Sequence, residues 1–211
     1  RIVDHFGDDT LEILEQTPGR LSEVRGISPK KAEALTAELQ QLFGMRTVMM
    51  FLASYGMTPA EGVRVWKKWG VIAMDIIRDN PYLLCGEDIG ADFKRADTIA
   101  LSLGMEEDCG KRLFGAVVHI LRHNLRNGHT CLSRAKVVEL AAKLLDGIPQ
   151  EVIDQDITQR LEEEELFSIQ RNREFLFLPA MYQAERYIAL RLSMMLQNRF
   201  FDQRNLEGMI A

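Results

Sequence analysis

The sequence is short of cysteine, of positive charge and of long apolar runs, and each shortage excludes something. Its three cysteines, Cys85, Cys109 and Cys131, are an odd set with no CxxC pair, which argues against both a disulfide framework and a zinc knuckle and predicts reduced, mostly buried thiols. No apolar run approaches the roughly 20 residues needed to cross a bilayer, and the N-terminus has no basic-then-apolar leader, so a cytoplasmic chain without a membrane partner is expected. Lysine and arginine (26) are outnumbered by aspartate and glutamate (31), a net charge of −5. A chain of that sign does not coat nucleic acid by bulk charge, so any such binding must be local. Gly110-Lys111-Arg112 lacks the second glycine and the Ser or Thr of a phosphate-binding P-loop. His119 and His123 share a helix face, but no fourth ligand has matching spacing, so no metal site is predicted. No nucleophile is paired with a base. No catalytic residue and no cofactor are expected in these 211 residues.

What the chain does have is a recurring turn. Gly26-Ile27-Ser28-Pro29 with Ala32, Gly56-Met57-Thr58-Pro59 with Gly62, and Gly90-Ala91-Asp92-Phe93 with Ala96 each place a very small residue six positions after a turn glycine. Each turn lies between two apolar helical patterns, the layout of a helix-hairpin-helix. Residues 1–21 also align without gaps to residues 64–84, pairing Val3 with Trp66, Phe6 with Trp69, Gly7 with Gly70 and Pro18 with Pro81. One inserted residue then brings Gly26 onto Gly90. Gly7, Gly44, Gly70 and Gly104 are expected as helix C-caps, and Gly62, Ala32 and Ala96 as close crossing points of paired helices. The aromatic pair Trp66 and Trp69 is expected in the core. Arg1 lies within an amphipathic helical pattern with no cap before it, which suggests a fragment of a longer protein whose first hairpin is truncated.

After Glu106 the pattern changes. Helices are predicted around Leu113 to Leu125, after Ser133, and from residue 150 to 165, followed by a β-hairpin near 166–178 and a long helix opened by Pro179 that ends in an irregular tail. The reading is mainly α: tandem helix-hairpin-helix repeats over 1–105, a winged-helix-like domain over 106–178, and a C-terminal helix and linker over 179–211. The third helix of the winged domain carries Glu151, Asp154, Asp156 and Glu162 to Glu165, so insertion into a DNA groove would oppose carboxylates to phosphates. A partner contact suits that helix better.

A helix N-terminus beside a tight turn holds phosphate through backbone N–H groups without reading a base. Candidate DNA-backbone contacts are therefore Gly26, Ile27, Ser28, Lys30 and Lys31 in the first hairpin, Gly56 and Thr58 in the second, and Gly90, Lys94 and Arg95 in the third. Lys30 and Lys31 make the first turn the strongest, whereas the second has no immediate cation and reads as a spacer.

The order of these pieces resembles the N-terminal region of bacterial RecD-like helicases of the RecD/TraA type, upstream of their motor domains. The resemblance is carried by Arg1-Ile2-Val3-Asp4-His5-Phe6-Gly7, Asn80-Pro81-Tyr82-Leu83, Phe93-Lys94-Arg95-Ala96-Asp97, Gly128-His129-Thr130, and Phe177-Leu178-Pro179 followed by Tyr182, Ala184 and Glu185. It implies a parent that unwinds DNA 5′ to 3′ with ATP and magnesium in repair or recombination, with the motor as this region's partner. Ser28, Thr58 and Ala91-Asp92 depart from the family's glycine-containing turns. Two other readings stay open: a protein-interaction scaffold with degenerate hairpins, and the hairpin module of another repair enzyme such as a nuclease subunit.

Overall fold

In a computed structural model that describes residues 1–209, with side chains to Gln197, the chain divides into two compact units, Arg1–Glu106 and Glu107–Ala211. The first is entirely helical. Helix α1 (Ile2–Phe6), a 3-10 turn (Gly7–Asp9), α2 (Thr10–Gln16) and a 3-10 segment (Pro18–Glu23) lead into α3 (Pro29–Ser54). Then come α4 (Pro59–Trp69), a 3-10 turn (Gly70–Ile72), α5 (Ala73–Asp79), a 3-10 segment (Pro81–Cys85) and α6 (Phe93–Ser102). The duplication is visible element by element: at an offset of 63 residues Gly7–Asp9 falls on Gly70–Ile72 and Thr10–Gln16 on Ala73–Asp79. Gly7 and Gly70 even share backbone angles, φ 57 and ψ −129 against φ 56 and ψ −133.

One expectation fails here. Gly44 does not cap a helix; it lies inside α3, which runs unbroken for 26 residues. The reason is packing. A Cβ at Gly44 would come 2.9 Å from the Trp66 ring, so the glycine admits the indole instead of ending the helix. Gly62 behaves as expected, since a Cβ there would lie 3.3 Å from Met49 of α3. Val48, Leu52, Met57, Val65, Ala73, Ile77, Leu84, Ile89, Ala91 and Ile99 form the buried cluster of hairpins two and three, and Trp66, Trp69 and Met74 pack on its margin.

The second unit contains α7 (Gly110–Arg126), strand β1 (Cys131–Ser133), α8 (Arg134–Leu144), α9 (Gln150–Glu162), β2 (Phe167–Gln170), β3 (Glu174–Phe177) and α10 (Pro179–Met209). The sheet order is β1-β3-β2, all antiparallel, with Cys131 and Phe167 both opposite Phe177. This is the strand and helix order of a winged helix. It adds β1 to the expected β-hairpin: three residues are too few to show an alternating pattern, and the strand exists because β3 pairs with it. Leu113, Val117, Ile120 and Leu121 of α7, Val137 and Ala141 of α8, and Ile153 and Ile157 of α9 fill the core.

Helix α10 continues to Met209 where an irregular tail was expected, because no glycine or proline interrupts residues 180–207. The three cysteines are half-buried and in no disulfide among the described residues, less enclosed than expected. Among the described residues no helix is long and apolar enough to cross a membrane, and no three His, Cys, Asp or Glu side chains converge as a metal site.

Candidate nucleic-acid interface

The three turns have one backbone geometry. Gly26, Gly56 and Gly90 have φ of 94, 73 and 74, left-handed values that glycine adopts without a steric penalty. The residues two positions on, Ser28, Thr58 and Asp92, are the N-caps of α3, α4 and α6, all extended with φ between −74 and −72. The side chains around each cap differ, and that difference sets what each turn can bind.

At the first turn Ser28 Oγ accepts the Lys31 N–H at 3.3 Å. Ile27 is half-buried, while Gly26, Ser28, Lys30 and Lys31 are exposed. Among the described residues neither lysine makes an ion pair. Beside this turn lies an open cleft of about 560 Å³ lined by Arg1, Asp4, His5, Val24, Arg25 and Gly26. Arg25 and His5 were not among the sequence candidates, since neither lies on the helix after the turn.

The second turn is filled from within. Thr58 and Glu61 form a capping box: Thr58 Oγ1 accepts from the Glu61 N–H at 3.3 Å, and the Thr58 N–H and Oγ1 donate to Glu61 Oε2 at 2.7 and 2.8 Å. Arg95 of α6 then reaches back across the pair. Its Nη2 donates to Glu61 Oε1 at 3.0 Å, and its Nη1 donates to Glu61 Oε2 at 3.1 Å and to the Gly56 carbonyl at 3.2 Å. Glu61 is only 5 % exposed. Burial raises its pKa, but the two Thr58 hydrogen bonds and the Arg95 guanidinium outweigh burial and hold the carboxyl below its ordinary value. A buried carboxylate thus occupies the place at the start of α4 where a phosphate would lie. The signal was present in the sequence: Thr58-Pro-Ala-Glu61 is a capping-box pattern.

The clasp is reciprocal. Arg64 of α4 donates from Nε and Nη2 to the Ile89 carbonyl of the third turn, at 3.0 and 2.7 Å. Each of the two hairpins therefore holds the other's turn with an arginine. Tyr55 and Ser102 hydroxyls meet at 2.7 Å and Lys68 pairs with Asp88, which closes the pair further. Arg95 is committed to this clasp. At the third turn that leaves exposed Lys94, which among the described residues makes no ion pair, and Asp92, whose side chain caps nothing.

In the second unit the acidic helix spends much of its charge internally. Asp154 pairs with Arg134, and Asp156, Glu163 and Glu165 all pair with Arg160. Burial pushes the Asp156 carboxyl above its ordinary range despite Arg160.

Residues 41–131 match the family model described as the ATP-dependent RecD2 DNA helicase HHH domain. That stretch runs from within α3 through the clasped second and third turns and α7 to the first residue of β1; the first turn precedes it. The ATP-dependent RecD2 DNA helicase of Deinococcus radiodurans is 27% identical over 137 residues, 64% of this chain and 19% of that protein, so the chain spans about a fifth of the curated relative. The clasped hairpins lie in the stretch that matches the RecD2 helix-hairpin-helix model, and both comparisons support the resemblance of the chain to the N-terminal region of RecD-like helicases.

Proposed function

We propose that this region is a non-catalytic, sequence-independent DNA-binding or DNA-positioning part of a 5′ to 3′ helicase of repair or recombination in the cytoplasm. One observation carries the reading: Lys30 and Lys94 stand at equivalent places, four residues after Gly26 and Gly90, exposed on the first turn of α3 and of α6. A lysine there adds its charge to the partial positive charge of the helix start and to the turn's N–H groups, and together they suit one backbone phosphate each. The second hairpin has Ala60 at that place and a carboxylate over its helix start, so it supports the pair and leaves DNA to its neighbours. Single-stranded or forked DNA is the proposed ligand. ATP and magnesium belong on this reading to a motor elsewhere in the polypeptide, because no residues here fit a nucleotide's phosphates through a P-loop.

The test is fluorescence anisotropy of the chain with labelled single-stranded, duplex and forked DNA across a salt series. Lys30→Glu and Lys94→Glu are each expected to weaken binding on every sequence and to lower the salt slope by about one. Absence of binding at low salt, or binding indifferent to both changes, would turn the assignment toward an interaction scaffold.

A further inference from the structure

The first and third hairpins are built on one frame and differ in what fills it. Pro18, Leu21 and Ala32 of the first are buried, as are Pro81, Leu84 and Ala96 at the corresponding places of the third, and in both the 3-10 segment packs on the helix that follows the turn. In the third hairpin an aromatic ring closes the seam between segment and helix. Tyr82 stacks on Phe93 with ring centroids 5.5 Å apart and donates its hydroxyl to Asp97 Oδ1 at 2.7 Å, which leaves Tyr82 6% and Phe93 2% exposed.

The repeat puts Gly19 where Tyr82 stands, Pro29 where Phe93 stands and Glu33 where Asp97 stands. Without the two rings the seam is open. It forms a groove of about 350 Å³ with Gly19 and Ser22 on one wall and Pro29, Glu33, Thr36 and Ala37 of α3 on the other. Two polar groups along it have no use within the protein: among the described residues Glu33 makes neither a hydrogen bond nor an ion pair, and the buried Thr36 Oγ1 has no hydrogen-bond partner. A buried hydroxyl left in that state points to a partner that arrives from outside. The closed hairpin has Ala100 in that place, and its acid is already engaged by the Tyr82 hydroxyl.

What the groove lacks is therefore a planar ring with a hydrogen-bond donor on its edge. Lys30 precedes Glu33 and Ala37 by three and seven residues, so it borders the groove on the surface of α3. We propose that the groove takes one unpaired base of a DNA strand, laid over Pro29 with an N–H of its pairing edge donating to Glu33. The proposal rests on the reading of Lys30 as a phosphate contact, which brings the strand to the mouth of the groove. Each of the four bases exposes an N–H on that edge once its pairing partner is gone, so the groove selects a single strand and not a sequence. Lys94 stands beside the closed seam and holds a phosphate alone.

The test restores the ring that the third hairpin carries. Gly19 does not have the left-handed backbone, and a Cβ there meets nothing within 4 Å, so a side chain at that position is admitted. Anisotropy is measured with one labelled single strand and with its duplex, beside thermal unfolding of each variant. Gly19→Tyr is expected to weaken single-strand binding about tenfold, to leave duplex binding unchanged and to raise the unfolding midpoint. Gly19→Ala leaves the groove open and should bind as the unchanged chain does. Ala37→Phe fills the groove from an exposed position on α3 and should repeat the loss, which keeps a fold defect at Gly19 from passing for a blocked site. Single-strand binding that falls with Lys30→Glu but ignores both filling changes would overturn the groove and keep the phosphate contact. Binding that falls with the filling changes but ignores Lys30→Glu would keep the groove and overturn the phosphate contact. Equal losses on single strand and duplex would also defeat the proposal, because a paired base cannot enter. Absence of binding to either DNA would overturn both readings and turn the groove toward an aromatic side chain of a partner protein.

Discussion

Glu61 and Arg95 show how a single residue can change what a recurring turn does. The turn at Gly56 has the backbone of its neighbours, yet its helix start is occupied by its own carboxylate, bonded to Thr58 and Arg95. Because the Glu61 pKa is lowered in the fold, the stability it contributes is complete above the ordinary value of 4.5 and is lost as pH falls through the folded value. Thermal unfolding of the hairpin unit followed by tryptophan fluorescence should show this acid limb, and Glu61→Gln should flatten it. Arg95→Ala leaves that buried carboxylate without its cation and is expected to cost about 2 kcal/mol in the same measurement. If Arg95 were instead a DNA contact, the change would weaken binding and leave the unfolding midpoint in place.

At the scale of elements, α3 is the feature that most alters the picture of separate hairpins. It is at once the second helix of the first hairpin and the first helix of the second, so the two turns stand at opposite ends of one rigid rod of 26 residues. Gly44 near its middle is there for Trp66, not for a break in the helix. Gly44→Leu places a branched side chain where the indole sits. It should shift tryptophan emission and destabilise the unit by about 1–3 kcal/mol through overpacking, despite leucine's better helix propensity. A stabilised variant with unchanged emission would mean that Trp66 does not pack there.

For the whole molecule, the two units carry their own cores and their own polar hubs. Arg134 is the hub of the second, with Nε donating to Asp154 Oδ1 at 2.6 Å, Nη2 to Thr158 Oγ1 at 2.6 Å and Nη1 to Glu174 at 3.3 Å, which ties α8 to α9 and β3. Arg134→Met is expected to lower the stability of that unit by about 2 kcal/mol. Both tryptophans lie in the first unit, so circular dichroism should record the shift while tryptophan fluorescence does not. A matching shift in both signals would make the molecule one cooperative unit. The proposed DNA reading is also a property of the whole: on a body of net charge −5, two lysines at helix starts are expected to give binding with a shallow salt dependence, which the salt series measures.

The mainly helical fold, the duplication, the three turns and the winged arrangement of the second unit were legible in the sequence, because glycine at positive φ, small residues at crossings and apolar periodicity are local requirements that leave local marks. The capping box at Thr58 and Glu61 is just as local and could have been read in the same way. The partners of the cations could not. Lys30, Lys31, Lys94 and Arg95 look alike along the chain, since each is a cation on the first turn of a helix after a glycine. Only folding brings Arg95 to a carboxylate 34 residues earlier and leaves Lys94 facing solvent. The same is true of Gly44, whose neighbour Trp66 is 22 positions away, and of β1, which is a strand only because β3 lies beside it. Backbone conformation is set by a few adjacent residues, whereas the use of a charge or a gap depends on what the fold brings against it.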